Sequence, residues 1–251
     1  MMTMRTVALL IPALLIAACA APASTRPAAP CEPARLPASD TITSAPPSGP
    51  NRLVVHVDNV RPDKVAQFEA ARERFVGDLR ARGVDDRRGH YFKVGATRFY
   101  SVIPFRTFTE LDALGSSRSA AQEKMKGVIE EYDRLADEGL VFPHHNELWT
   151  ERADLSWTPT GKPLEAAVEL VVEDLDPTCD YAEAWKATAA RLAEAKYPLE
   201  RRAFSSAYGS GKLLVFWLGA PGATRPPIQP VSCVLASEAL PARFMEAMSL
   251  P

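Results

Sequence analysis

The chain has 251 residues, 47% hydrophobic and 24% charged, which is ordinary globular composition. Its formal net charge of −2 and pI near 6.1 lack the basic excess of a nucleic-acid-binding domain, so no nucleic-acid partner is expected. Arg72, Arg74, Arg80, Arg82, Arg87 and Arg88 crowd one region, but Glu69, Glu73, Asp78, Asp85 and Asp86 are interleaved with them. Mixed signs of this kind read as a solvated helix face and not as an anion site.

At the start, Arg5 precedes a short apolar run from Val7 to Ala18 that is interrupted by Pro12. At ~1.5 Å per residue, a run this short falls well below the ~20 residues that cross a hydrocarbon layer, so it reads as a signal. It leads into Ile16-Ala17-Ala18-Cys19, which resembles the lipobox of bacterial lipoproteins. In that family the cysteine thiol is acylated, the peptide is cut before it, and the new amine is acylated in turn. The resemblance implies a signal over 1–18, lipid on Cys19 and a membrane as partner. Two or more acyl chains at ~0.8 kcal/mol per buried methylene anchor stably. An ordinary signal cut at Ala18-Cys19-Ala20 would instead release a soluble protein. Ala20, where an Asp would favour retention, points by the same resemblance to the outer membrane of the cell envelope over the inner one. Ala, Pro, Ser and Thr dominate 20–50, too poor in large apolar groups to offset the entropy of ordering. A tether over 19–50 is expected, with the folded part beginning near Asn51.

Two similar units follow. Leu53 to Val60 reads as a strand closed by Arg61-Pro62, and Glu169 to Leu175 as another closed by Asp176-Pro177. Superposing Pro62 on Pro177 sets Val55, Val57 and Val60 on Leu170, Val172 and Leu175. A helix is predicted next in each unit. Val65, Phe68, Phe75, Val76 and Leu79 mark the first; Tyr181, Trp185, Thr188 and Leu192 mark the second, with Asp176 as N-cap before Pro177. Hairpins then run from His90 to Phe105 and from Phe204 to Leu218, turning at Gly95 and at Gly209-Ser210-Gly211, where glycine allows a positive φ. In the first unit Met125, Val128, Ile129, Tyr132 and Leu135 mark a second helix, and the stretch from about Asn146 to Trp157 supplies a fourth strand.

The order β-α-β-β-α-β is the ferredoxin-like unit, and tandem units of this kind resemble the dimeric α/β-barrel superfamily, which includes NIPSNAP-like proteins and the antibiotic-biosynthesis monooxygenases. The expected fold is α+β, with unit 1 over 51–157, a linker over 158–164 and unit 2 over 165–251. Unit 2 is expected to end in its second helix, around Leu240 to Met248, without a fourth strand. Either 228–235 takes an edge position or that half-sheet is one strand short, so barrel closure stays open.

Export permits disulfides. Taking the first and third strands of a unit as parallel neighbours starts both of its helices at one sheet edge. Cys179 would then begin one helix of unit 2 beside Cys233, just before the other. A Cys179–Cys233 bridge is therefore expected, leaving Cys31 in the tether unpaired.

No nucleotide or zinc-hydrolase signature is present. Gly209-Ser210-Gly211-Lys212 lacks the upstream glycine of a phosphate loop and leads into a strand, and no Gly-x-Ser-x-Gly elbow occurs. Strand alternation supplies the remaining candidates. If Val55 and Val57 face the helices, then Val54, His56 and Asp58 share the opposite face, as do Glu169, Val171 and Glu173. That face is either solvated or the inside of a ligand-holding barrel. His56 with Asp58 is the sharpest pair, a carboxylate placed to orient an imidazole, with Tyr91 as a further catalytic candidate. His145 and Glu147 would share a strand face as metal ligands, but two are too few for a zinc site and a third from His56 is conjecture. Trp149 and Trp217 line either a pocket or the core, and Glu169 and Glu173 are pocket-lining candidates. The leading expectation is an envelope lipoprotein that binds a small apolar ligand or an envelope protein partner without catalysis or cofactor. The alternatives are an enzyme similar to the cofactor-independent monooxygenases, acting on an aromatic substrate between the sheets, and a haem-binding protein with one of the four histidines as axial ligand.

Overall fold

The computed structural model describes residues 51–84, 89–141, 144–229 and 231–250. The signal, Cys19, Cys31 and the tether lie outside the described residues, as do Asp85, Asp86, Arg87 and Arg88. Eight strands and four helices follow in order: β1 (Arg52–Asn59), α1 (Val65–Ala81), β2 (His90–Val94), β3 (Arg98–Phe105), α2 (Phe108–Lys124), α3 (Val128–Asp137), β4 (His145–Glu151), β5 (Ala167–Leu175), α4 (Tyr181–Glu194), β6 (Glu200–Ser206), β7 (Lys212–Leu218) and β8 (Val234–Phe244).

Local chemistry accounts for the helix boundaries. Pro62, fixed near helical φ, opens a single 3-10 turn that runs into α1, whose buried stripe is Phe68, Ala71, Phe75, Val76 and Leu79. Thr107 and Glu110 form a capping box at the start of α2: the Glu110 N–H donates to Thr107 Oγ1 at 3.2 Å and the Thr107 N–H to Glu110 Oε2 at 3.4 Å. Gly127, at φ +86°, makes the turn that separates α2 from α3. For α4 the cap is Asp180, which accepts from the Glu183 N–H at 3.0 Å. Asp176, the expected cap, instead closes a turn by accepting from the Thr178 N–H and hydroxyl.

The strands close into a barrel in the order β1-β3-β2-β8-β5-β7-β6-β4, every neighbouring pair antiparallel. Within it β4-β1-β3-β2 and β8-β5-β7-β6 follow one pattern, with β1 and β5 in matching central positions. Seams between β2 and β8 and between β4 and β6 join these halves.

The structure corrects three expectations. The fourth strand of the second half is present as β8; what that half lacks, among the described residues, is its second helix. Pro221, Pro226 and Pro227 lie where that helix would run, and each removes a backbone donor and blocks a helical turn. In the segment that reads as helical, Pro241 sits where β8 passes from pairing with β5 to pairing with β2, a position that tolerates a missing donor. Only a 3-10 turn, Glu246–Met248, remains of the expected helix.

The second correction concerns the cysteines. β5 and β7 are antiparallel, as are β1 and β3, so the argument from parallel neighbours fails. Cys179 and Cys233 are nonetheless disulfide-bonded, with Cα atoms 5.6 Å apart. The reason is that β8 begins beside the end of β5: Leu175 pairs with Val234, and the Asp176 N–H donates to the Cys233 carbonyl at 2.9 Å.

Third, the faces are reversed. Val55 and Val57 point into the barrel with Leu53, Phe92, Val102, Trp149, Leu170, Phe204, Leu214 and Phe216, all buried in one cluster drawn from both halves. Phe216 meets Phe92 and Phe204 with ring centroids 5.9 and 5.7 Å apart, and Leu164 of a 3-10 turn packs into the same cluster. The interior is therefore a packed core, as in small barrels whose side chains fill the lumen. The helices cover the outside. Phe68, Tyr91, Phe99 and Met248 pack on the first half, and Tyr181, Trp185, Leu192, Val215 and Trp217 on the second. A Cβ at Gly219 would collide with Leu199, so the chain leaves β7 through a position that only glycine fills.

Candidate functional site

The alternation of β1 puts His56 and Asp58 on the outer surface, beneath α1 and α3. Asp58 is only 6% exposed. Its Oδ2 accepts from the Tyr91 hydroxyl of β2 at 3.1 Å, and its Oδ1 lies 3.0 Å from His56 Nε2. Asn146, opposite His56 in the β1–β4 register, presents Oδ1 at 2.9 Å from His56 Nδ1. His144, just before β4, brings Nδ1 to 3.7 Å from Asp58 Oδ1 and sets its ring edge-on to His56, with centroids 4.9 Å apart. The imidazole side chains are 29% (His56) and 41% (His144) exposed, so a buried carboxylate is flanked by two histidines that solvent reaches.

Behind this group α1 supplies Arg72. Its guanidinium lies over the rings of Tyr91, Phe75 and Tyr132, 4.7, 5.5 and 5.8 Å from their centroids, and its Nε–H reaches the Met248 carbonyl at 3.4 Å. Hydrogen bonding to Asp58 raises the His56 imidazole above its ordinary pKa, against burial, with Asn146 adding to the rise. Burial and the Asp58 charge hold the Tyr91 hydroxyl well above its usual range, and burial raises Tyr132 against the pull of Arg72. Both phenols therefore keep their protons at neutral pH.

Several sequence candidates fall elsewhere. His145 and Glu147 pair with each other at 3.1 Å, and Trp149 Nε1 donates to Glu147 Oε2 at 3.1 Å. His145 lies opposite Val57, on the face of β4 that turns toward the barrel rim, so it does not join His56. Trp149 is core, packed inside the barrel; Trp217 is core on the outside. Glu169 is ion-paired with Arg225 on the outer surface. Arg72 is half-buried at the border of the apolar stripe of α1, four residues after Phe68 and three before Phe75, and turns its guanidinium onto Tyr91 and not out to solvent. A charge at that phase was the signal available for it. The run His144-His145-Asn146-Glu147 invites a metal reading through His145 and Glu147, but the register of β4 brings His144 and Asn146 to His56 instead, and the packing of α3 brings Tyr132 to Arg72.

The second half treats the equivalent position differently. With Pro62 on Pro177, Asp58 corresponds to Glu173 and His56 to Val171. Glu173 Oε2 accepts from the Tyr181 hydroxyl at 2.7 Å and from Arg201 at 3.2 Å. Arg201 is 1% exposed, also donates to Tyr181 and the Leu155 carbonyl, and lies 4.1 Å from the Trp185 ring centroid. That carboxylate meets a phenol and a buried guanidinium, whereas the one at Asp58 meets a phenol and two imidazoles that solvent reaches.

No protein family and no curated protein matches the chain. Solved structures match it in fold. A protein from Fusobacterium nucleatum described as a candidate monooxygenase superposes with TM-score 0.50 at 12% identity, covering 79% of this chain and 94% of its own. The chain has the dimeric α/β-barrel fold. A candidate monooxygenase from Lactobacillus acidophilus gives TM-score 0.45 at 7% identity over 78% of this chain and 94% of that one. The chlorite dismutase of Candidatus Nitrospira defluvii gives 0.44 at 9% over 80% and 93%.

Proposed function

We propose that this α/β barrel, built as two tandem ferredoxin-like units, is a monooxygenase-like enzyme whose reaction centre is the Asp58 group on the outside of the first half. One observation carries the reading: of two equivalent carboxylates, Asp58 is bordered by solvent-accessible His56 and His144, while Glu173 is ion-paired with the buried Arg201 and bonded to Tyr181. The likeness in fold to a candidate monooxygenase supports the reaction class. Phe92, Phe204 and Phe216 pack in the barrel interior, which favours a site on the outer surface over one in the lumen.

The substrate class is a small aromatic compound that supplies its own electrons. A ring CH2 and O2 then give C=O and water, with one oxygen atom in each product and no external reductant. Arg72 places positive charge behind the centre, suited to an electron-rich substrate or a developing oxyanion. Oxygen consumption over a panel of such aromatics tests this. Asp58→Asn and His56→Ala should abolish it and His145→Ala should leave it unchanged; undiminished uptake in Asp58→Asn would sink the assignment.

We further propose that the Ile16-Ala17-Ala18-Cys19 segment directs lipidation of Cys19, which would hold the barrel at the outer membrane. Mass analysis of the membrane-derived N-terminal peptide should find an acylated cysteine. Cys19→Ala should move the protein to the soluble fraction, and an unmodified thiol in the wild type would refute the anchor.

A further inference from the structure

We infer that His56, Asp58 and His144 form a mononuclear divalent-metal site, taking a borderline cation such as Zn2+ or Fe2+ through two imidazole nitrogens and one carboxylate oxygen. The inference uses the centre proposed above but not its reaction.

The first support is spacing. One donor atom from each of the three residues lies within 4.8 Å of the other two, and Asp58 Oδ1 is 3.0 Å from His56 Nε2 and 3.7 Å from His144 Nδ1. Ligands ~2.1 Å from a tetrahedral ion stand ~3.4 Å apart, and the two observed separations bracket that value. Small rotations of His144, which lies at the surface, would complete the set.

Direction is the second support. Asn146 Oδ1 lies 2.9 Å from His56 Nδ1, and the other ring nitrogen, Nε2, points at Asp58 Oδ1 from 3.0 Å. His144 Nδ1 approaches that same oxygen at 3.7 Å, so two imidazole nitrogens and one carboxylate oxygen converge on one point.

The third support lies one layer out. His56 is held by Asn146, and the other oxygen of Asp58 by the Tyr91 hydroxyl, which turns Oδ1 toward the histidines. Metal ligands are oriented in this manner by outer partners. Both imidazoles reach solvent, which leaves coordination positions for water or a substrate. Three protein ligands with open positions are typical of catalytic sites, and the mixed nitrogen and oxygen donors favour Zn2+ or Fe2+ over Mg2+ or Ca2+.

The test is titration of the chelator-treated full chain with Zn2+, followed by calorimetry, and with Co2+, followed by its visible ligand-field bands. One equivalent should bind. His144→Ala, a surface change that leaves the core intact, should lose the Co2+ bands, and His56→Ala should do the same. Asn146→Ala and Tyr91→Phe should weaken binding by about 10–100-fold, as losses of outer partners do. His145→Ala, which removes a neighbouring imidazole, should bind like wild type. Folded wild-type protein that takes up neither ion at one equivalent would overturn the proposal and leave a protonated His56–Asp58 pair. So would equal losses in His144→Ala and His145→Ala. The two proposals fail separately: protein that takes up oxygen but binds neither ion refutes the metal site alone, and tight metal binding without uptake refutes the reaction alone.

Discussion

Asp58 and Glu173 occupy the same place in the two halves of the barrel, and each is bonded to a tyrosine hydroxyl. In the second half the cation comes from a strand, Arg201 of β6, and meets the carboxylate directly. In the first it comes from a helix, Arg72 of α1, and stands behind Tyr91, so the carboxylate turns to His56 and His144 instead. Where the cation sits on a strand the carboxylate is ion-paired, and where it sits on a helix the carboxylate faces two imidazoles. The surrounding layers agree with this division. The first half carries α1, α2 and α3, while the second has α4 and a proline-rich loop pinned by a disulfide.

The largest test of the contrast is Glu173→Ala. It strands a guanidinium that is 1% exposed, and removing one partner of a buried pair costs about 3–5 kcal/mol. Urea denaturation should show that loss, whereas Asp58→Asn, which keeps an oxygen for Tyr91, should cost roughly 1 kcal/mol. Equal costs would mean that the two carboxylates do the same job. Next in size is the Cys179–Cys233 bridge, which closes a separation of 54 residues around the half without a second helix. Replacing both cysteines with serine should cost about 2–4 kcal/mol, seen as a lower Tm that reductant no longer changes.

A smaller, pH-dependent effect belongs to the segment that joins the halves. Glu200 of β6 is buried, yet it accepts from the N–H groups of Thr160 and Lys162 and from the Thr160 hydroxyl. Burial alone would raise its pKa; these bonds and Lys162 more than offset that, and the carboxyl titrates below its usual value. A depressed folded-state pKa adds stability that is complete above the ordinary Glu value of ~4.3 and lost as pH falls through the folded value. Glu200→Gln should therefore cost roughly 1–2 kcal/mol near pH ~7, with the difference from wild type shrinking below pH ~4. Denaturation curves that stayed equally separated at both pH values would contradict the assignment. The mildest change is Thr107→Ala, which removes the cap of α2, a helix that only the first half has; a loss of about 1 kcal/mol or less and slight fraying by circular dichroism are expected.

Much of the framework was legible because it is local. Alternation in β1 and β5, glycine at the hairpin turns and proline before α1 are written in adjacent residues. Alternation says which residues share a face but not which side the helices cover, and so His56 and Asp58 were assigned to the wrong side of a correctly placed strand. The segment from Leu240 to Met248 looked helical because its pairing with two distant strands, β5 and β2, leaves no mark in the segment itself. The long polar α2 has little apolar periodicity to betray it. At the candidate site the pair His56–Asp58 could be read from spacing, and Arg72 from its phase on α1. His144 could not, since it reaches Asp58 only when β4 docks on β1.

The two seams have a mechanical consequence. Along β1 and β3 eight residues face one another, but only three do so where β2 meets β8 and three where β4 meets β6. Stress applied to the ring concentrates on those two short lines, and it would part there like a clasp before either slab tore. The phenylalanines that bridge the gap, Phe92 against Phe216 and Phe244, are then the rivets, and the Asp58 group rides intact on one slab.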